Sequence, residues 1–151
     1  MDEPSQRLPL AARGYWRTVG ALQGAGLVIA AMVFAGGLGG WAWVATAVAV
    51  LAGAMLAGVI PALRWRRWRY AVREEEIDLV HGAFVVKRTL IPIRRVQHVD
   101  TESGPLQDSF GLASVTFHTA AGGVGIPALT KGEAESVRLR VADLARTRDD
   151  T

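Results

Sequence analysis

ALRWRRWRYAV, Ala62 to Val72, sets arginines among tryptophans and a tyrosine, and how it is read decides the fold. Basic residues interleaved with aromatics suit nucleic acid, where rings stack on bases and guanidinium groups hold phosphates. They equally suit the point where a helix leaves a bilayer. The residues before it settle the choice. From Thr18 through Leu63 the chain carries no charged side chain, although 21 % of its 151 residues are charged. A long charge-free run is the primary signal of a membrane span. A nucleic-acid reading leaves that run unexplained. It also sits poorly with a formal net charge of only +3, which is no strong electrostatic footprint.

The run divides at GGLGG, Gly36 to Gly40, a natural turn. Its arms predict helices over about 19–38 and 41–63. At about 1.5 Å per residue each arm spans about 30 Å, the thickness of the hydrocarbon layer. Gln23 alone interrupts the first arm with an amide, and Gly20 and Gly24 have the small-xxx-small spacing that lets helix backbones approach in lipid. A buried soluble helix pair is the plain alternative, but the remaining residues would have to cover it and also fold themselves. A cleaved signal peptide fits worse, because the first arm exceeds the usual apolar length and no clear small-x-small cleavage site follows.

Arg13 and Arg17 precede the first arm, Arg64, Arg66, Arg67 and Arg69 follow the second, and the turn is uncharged. Positive flanks stay inside, so the expected topology is multi-pass in the inner (plasma) membrane with both termini cytoplasmic. Tyr15 and Trp16, Trp41 and Trp43, and Trp65 and Trp68 fall where aromatic rings rest at headgroup level. Arg64, Trp65, Arg66, Arg67, Trp68 and Arg69 are thus the candidate membrane-interface residues. Each arginine near anionic lipid contributes about 1 kcal/mol. The expected division is a cytoplasmic segment over 1–17, a hairpin over 18–64, a folded domain over 65–147 and a frayed tail over 148–151.

Beyond Trp68 the hydrophobic period changes to two. Trp68, Tyr70 and Val72 alternate with Arg69, Ala71 and Arg73, which predicts a strand. Glu74 to Glu76 turns the chain, Ile77 to Val80 is a second strand, and His81–Gly82 reads as a hairpin turn before a third strand, Ala83 to Leu90. Pro92 marks a strand start or edge. Ile93 to Thr101 continues as a strand, with Val96 and Val99 suggesting a bulge. Gly104–Pro105 turns, and Leu106 with Phe110 seats one helical turn. Val115 and Phe117 face inward on the next strand, and Val124 and Ile126 form a last short one. Thr130 and Glu133 match a capping box, followed by the apolar stripe Ala134, Val137, Val141 and Leu144. The class is α+β: a helical hairpin, then a curled antiparallel sheet or barrel closed by an amphipathic helix.

These residues resemble a known family. Trp68–Arg69–Tyr70, Ile91–Pro92 with Arg95–Val96–Gln97, Gly104–Pro105–Leu106–Gln107 with Phe110–Gly111–Leu112, and Val115 with Thr119–Ala120 and Gly122–Gly123 are similar to motifs of the bacterial pleckstrin-homology-like domain of YdbS-type membrane proteins. The resemblance covers about 65–145. It implies a seven-stranded curled antiparallel sheet with a C-terminal helix, after a two-helix membrane hairpin; six strands are countable above. It implies no enzymatic activity and no agreed ligand. Pro92, Gln97, Gly104, Pro105, Phe110 and Gly111 are structural in this reading. Phosphoinositide binding would rest on fold analogy alone, and Glu74 to Glu76 would repel a phosphate at the first hairpin.

There is no cysteine, so disulfides and thiolate sites are excluded. His81, His98 and His118 lack metal-ligand spacing, and no metal or cofactor is expected. His98 and Asp100 could share a strand face near Glu102 and Ser103, but nothing in the spacing demands acid–base catalysis. No P-loop, Rossmann or GxSxG pattern occurs. Of Arg94 and Arg95, alternation would turn at most one inward, toward Asp100 or Glu102. The expected role is a non-catalytic interaction module, binding a protein partner or a second copy at the membrane's cytoplasmic face. The alternative is a module that grips anionic lipid headgroups.

Overall fold

Two apolar helices stand side by side on a folded domain in the computed structural model, which describes residues 4–37 and 39–149. The order is β1 (Gln6–Arg7), α1 (Leu10–Phe34), α2 (Ala42–Ala54), α3 (Ile60–Arg67), β2 (Arg69–Val72), β3 (Glu76–His81), β4 (Lys87–Pro92), β5 (Val96–Glu102), α4 (Pro105–Ser109), β6 (Leu112–Thr119), β7 (Gly122–Thr130) and α5 (Lys131–Asp149). The expected tail begins inside α5, and its last two residues lie outside the described ones.

α1 starts well before the expected position near Val19. Its first turns place Ala12 and Trp16, four residues apart, on one buried face that packs on the domain. The second helix runs through α2, one π-helical turn (Met55–Val59) and α3, past Leu63 to Arg67. Pro61 explains the π turn. It offers no N–H, and its ring crowds the carbonyl four residues back, so the ladder shifts and Ile60 N–H donates to Met55 O instead. Gly20 and Gly24 bring the helices together as their spacing predicts. A Cβ on Gly24 would stand 2.7 Å from Gly53 Cα, so only glycines permit this approach. Outward, Leu22, Ile29, Val33, Val48 and Leu51 remain exposed. The rest of the chain leaves these helices bare, so they are not a pair buried in this chain's own core.

The strands form two antiparallel sheets, β1-β2-β3-β4 and β5-β6-β7, that are not joined into a barrel. Pro92 ends β4, and a 3-10 turn (Ile93–Arg95) carries the chain to the second sheet. The seventh strand is β1, donated from before the hairpin: Gln6 pairs with Tyr70 and Arg7 with Arg69. Leu8, Ala12 and Trp16 then join Trp68, Tyr70, Ile77 and Leu79 in one core. The described part of the N-terminal segment therefore packs as part of the domain, and the β1–β2 pairing brings the two ends of the hairpin together.

α5 begins with the expected box. Glu133 N–H donates to Thr130 Oγ1, and Thr130 N–H to Glu133 Oε2, each at 3.2 Å. Its stripe Ala134, Val137 and Val141 is buried against the second sheet. Among the described residues, Asp78 is the buried charge: Arg88 clasps it with Nε at 3.0 Å and Nη2 at 2.5 Å, and Arg73 stands 3.6 Å away.

Candidate functional site

The register of the first sheet sets its polarity. β2 starts at Arg69, directly after the second helix, and Arg69 pairs with Val80, which pairs with Arg88. The end of β3, the start of β4 and the loop between them (82–86) therefore lie at the helix end of the sheet. The acidic turn at Glu74 and Glu75 lies at the far end.

At the helix end, the expected interface residues divide into two groups. Trp68 is only 3 % exposed and stacks on His81, with ring centroids 5.4 Å apart. Trp65 Nε1 donates to the carbonyls of Leu8 and Pro9 at 3.1 and 3.0 Å. Arg64 lies 4.6 Å over the Trp16 ring, a cation–π contact. Tyr15 meets Phe110 edge to face at 6.2 Å. These side chains bind the N-terminal segment and helices to the domain, and Trp68 does not face lipid. An i, i+3 tryptophan pair reads the same whether lipid or protein covers it. Trp41 and Trp43, at the opposite end of the hairpin, are both 73 % exposed.

Arg66, Arg67 and Arg69 point elsewhere. With Arg88, Pro4, Val80 and Val86 they line a cavity of about 390 Å³. Arg67 Nη1 also donates to Ala83 O at 2.6 Å. The predicted strand over 83–90 is shorter than expected: 82–86 forms a loop, and Phe84, Val85 and Val86 stand out into solvent. Beside it, burial first, then Lys87 and Arg64, hold the His81 imidazole below its usual pKa.

A second concavity, about 490 Å³, lies where the sheets fail to meet. Thr89 to Pro92, Arg94, Arg95, Gln97, Thr119 to Ala121 and Val124 line it. Arg94 and Arg95 are both exposed, because the 3-10 turn replaces the strand alternation that would have sent one inward. The predicted bulge falls at Gln97, between the pairs Val96–Thr119 and His98–His118. The other motif residues build one corner. Pro105 opens α4, Gly104 N–H donates to Gln107 Oε1 at 3.0 Å, and Gln107 Nε2 donates to Pro127 O at 3.0 Å. Gly111, at φ +66°, takes a turn that L side chains rarely adopt, and its carbonyl accepts from Lys131 N–H.

The third cluster brings His118 to His98 and Asp100, the pair that could share a strand face. His98 and His118 stack at 4.3 Å with planes 11° apart, and Asp100 Oδ2 lies 3.7 and 3.1 Å from their Nε2 atoms. Among the described residues, these three are the ones that could hold a metal. The rings lie parallel, so their donor atoms run side by side and would have to turn to meet one ion. All three are at least partly exposed, and water can complete their hydrogen bonds.

This architecture has known relatives. The family described as Bacterial PH domain matches residues 17–145. The chain belongs to this family. It is similar to the UPF0699 transmembrane protein YdbS of Bacillus subtilis (strain 168), with 49 % identity over 92 residues, covering 61 % of this chain and 58 % of that one. It is also similar to the UPF0699 transmembrane protein YdbT of the same organism, with 32 % identity over 80 residues, covering 50 % of this chain and 16 % of that one. The chain thus spans less than two thirds of either relative. No solved structure matches. This bacterial PH domain protein is a membrane protein: its two bare helices are long and apolar enough to cross a bilayer, and the relatives are named as transmembrane proteins.

Sequence reasoning missed β1, the Asp78–Arg88 clasp and the exposed 84–86 tip. Alternation around Asp78 was a usable signal, since Ile77 and Leu79 are both apolar and a charge between them must face the other side of the sheet. β1 is two residues long and gave none.

Proposed function

We propose that the protein is a membrane-anchored, non-catalytic interaction module with both termini in the cytoplasm. The arginines flanking the hairpin support that orientation, and the pairing of β1 with β2 supports a common side for the two ends. The observation that carries the reading is the free edge of β4. That strand ends its sheet, and the groove beside it is floored by Ile91 and Val124 and rimmed by Arg94 and Arg95. Its occupant is an extended, acidic segment of a partner protein, adding backbone hydrogen bonds to the edge and carboxylates to the arginines.

A photocrosslinking residue at Leu90, which is exposed on β4, tests this in intact membranes. The expected result is a discrete adduct that disappears on reversing Arg94 and Arg95 to glutamate. An adduct at twice the chain's mass identifies a second copy as the partner. Labelling at Leu90 no stronger than at Glu74, on the acidic turn, overturns the reading.

A further inference from the structure

We propose that the domain docks edge-on to the bilayer its helices enter, with the 84–86 tip inserted among the lipids and the arginine cavity holding an anionic phospholipid headgroup. This goes beyond the partner groove, which lies at the other end of β4.

Three independent features converge on this end of the sheet. The first is placement. The β2–β3–β4 register brings the 82–86 loop to the level where the second helix ends, and Arg67, the last residue of that helix, holds the loop through Ala83 O. The second is the chemistry of the tip. Phe84 is 67 % exposed and Val85 81 %, in a loop with no charged residue. A consecutive apolar tip in water costs free energy, and burial in the acyl boundary recovers it. The third is the cavity itself. Arg66, Arg67, Arg69 and Arg88 surround it, while Val80 and Val86 supply an apolar wall. Guanidinium groups bind phosphate oxygens through paired donors, and an apolar wall suits the glycerol and first methylenes of a lipid. The acidic turn at Glu74 and Glu75 occupies the opposite end of the sheet, clear of the anionic surface in this arrangement.

The absence of cysteine permits a clean test on the full chain. A nitroxide on Val85→Cys, and separately on Glu74→Cys, reports immersion through its collisions with oxygen and with a water-soluble nickel chelate. The protein is placed in nanodiscs of phosphatidylcholine and in nanodiscs of equal parts phosphatidylcholine and phosphatidylglycerol. The expected result is a Val85 label shielded from nickel and open to oxygen in the mixed discs, with the Glu74 label in water. Arg66→Gln with Arg69→Gln should lower the docked-to-undocked ratio about thirtyfold, as expected for losing two charges near an anionic surface. Arg88 is left intact because it clasps Asp78. Val85→Asp, at a solvent-exposed position, should undock the domain without disturbing its core. Inorganic phosphate added to detergent-solubilised protein separates the sources: protection of the four arginines by phosphate alone, with the Val85 label in water in both discs, means a soluble anion and overturns the proposal. Equal nickel access at Val85 and Glu74 overturns it as well.

Discussion

A domain fragment cut at the hairpin's end, residues 65–149, should fail to fold stably, and the reason can be put in numbers. The cut removes Leu8, Ala12 and Trp16, all buried in the core of the first sheet. Loss of a buried leucine costs about 2 kcal/mol. Loss of a buried tryptophan costs about 3 to 5 kcal/mol. The small Ala12 side chain and the two-residue β1 ladder add about 1 kcal/mol. The total, about 6 to 8 kcal/mol, compares with a whole-domain stability of about 5 to 15 kcal/mol. The cut also bares Trp68 and Tyr70. The fragment should therefore show weak near-ultraviolet dichroism and a broad or absent thermal transition. Joining residues 4–17 to Trp65 through a flexible linker should restore a cooperative melt, because that segment carries all three lost side chains. Equal melting temperatures for the bare and strap-bearing fragments would show that the core does not need the N-terminal segment.

Other outcomes follow from single contacts. Arg88→Ala should destabilise the domain by about 3 kcal/mol, since it leaves a buried carboxylate with Arg73 alone at 3.6 Å, whereas Asp78→Asn should cost about 1 to 2 kcal/mol because the Arg88 head, 34 % exposed, can turn to water; thermal melts of both variants in detergent check the order. Gly24→Leu should lower the melting temperature of the full chain, because its Cβ would stand 2.7 Å from Gly53 Cα and the overpacked helices must part, at about 1 to 3 kcal/mol. His81 binds its proton less readily folded than unfolded, so its contribution to stability is flat above its ordinary pKa and declines as pH falls through the window from about 6.5 to the lower folded value. His81→Gln should flatten that decline in a series of melts against pH.

Periodicity made much of this fold legible. The uncharged run gave the hairpin, Gly20 and Gly24 gave its contact face, and the stripe from Ala134 to Val141 gave the closing helix. All depend on patterns of several residues that one solvent boundary imposes. Strand alternation gave Val115 and Phe117 correctly, but extended the third strand through Phe84 to Val86, where apolar residues face outward. Composition alone does not distinguish a buried β-branched run from an exposed tip. Trp65 and Trp68 misled for a related reason. Arginine-flanked tryptophans suit a headgroup layer, yet Trp65 donates to Leu8, 57 positions earlier in the chain, and Trp68 is buried against His81. His98, Asp100 and His118 likewise meet only because β5 and β6 pair in one register.

Packing of the N-terminal segment (residues 4–17) on the sheet constrains how the domain can move. A domain joined to a membrane helix by one connection can swing about it, and its faces then sample many orientations. Here the chain meets the hairpin twice, at Leu10 and at Arg67. Trp65 ties one connection to the other through Leu8 and Pro9, and Arg64 on Trp16 closes the two helices above them. Rotation of the sheet about the helix axis would have to break that set together with the β1–β2 pairing. These contacts bias the sheet toward one attitude to the helices, with its two ends at different levels along them. Arg69, Val80 and Arg88 stay at the helix end. Pro92, paired with Glu76, stays at the far end with the partner groove. A mount of this kind would keep the proposed lipid-docking tip and the proposed partner edge at opposite ends of one short sheet, without competition between them. The two residues of β1 contribute little to the ladder, but Leu8, Ala12 and Trp16 beside them join the core and tie the helices to the sheet.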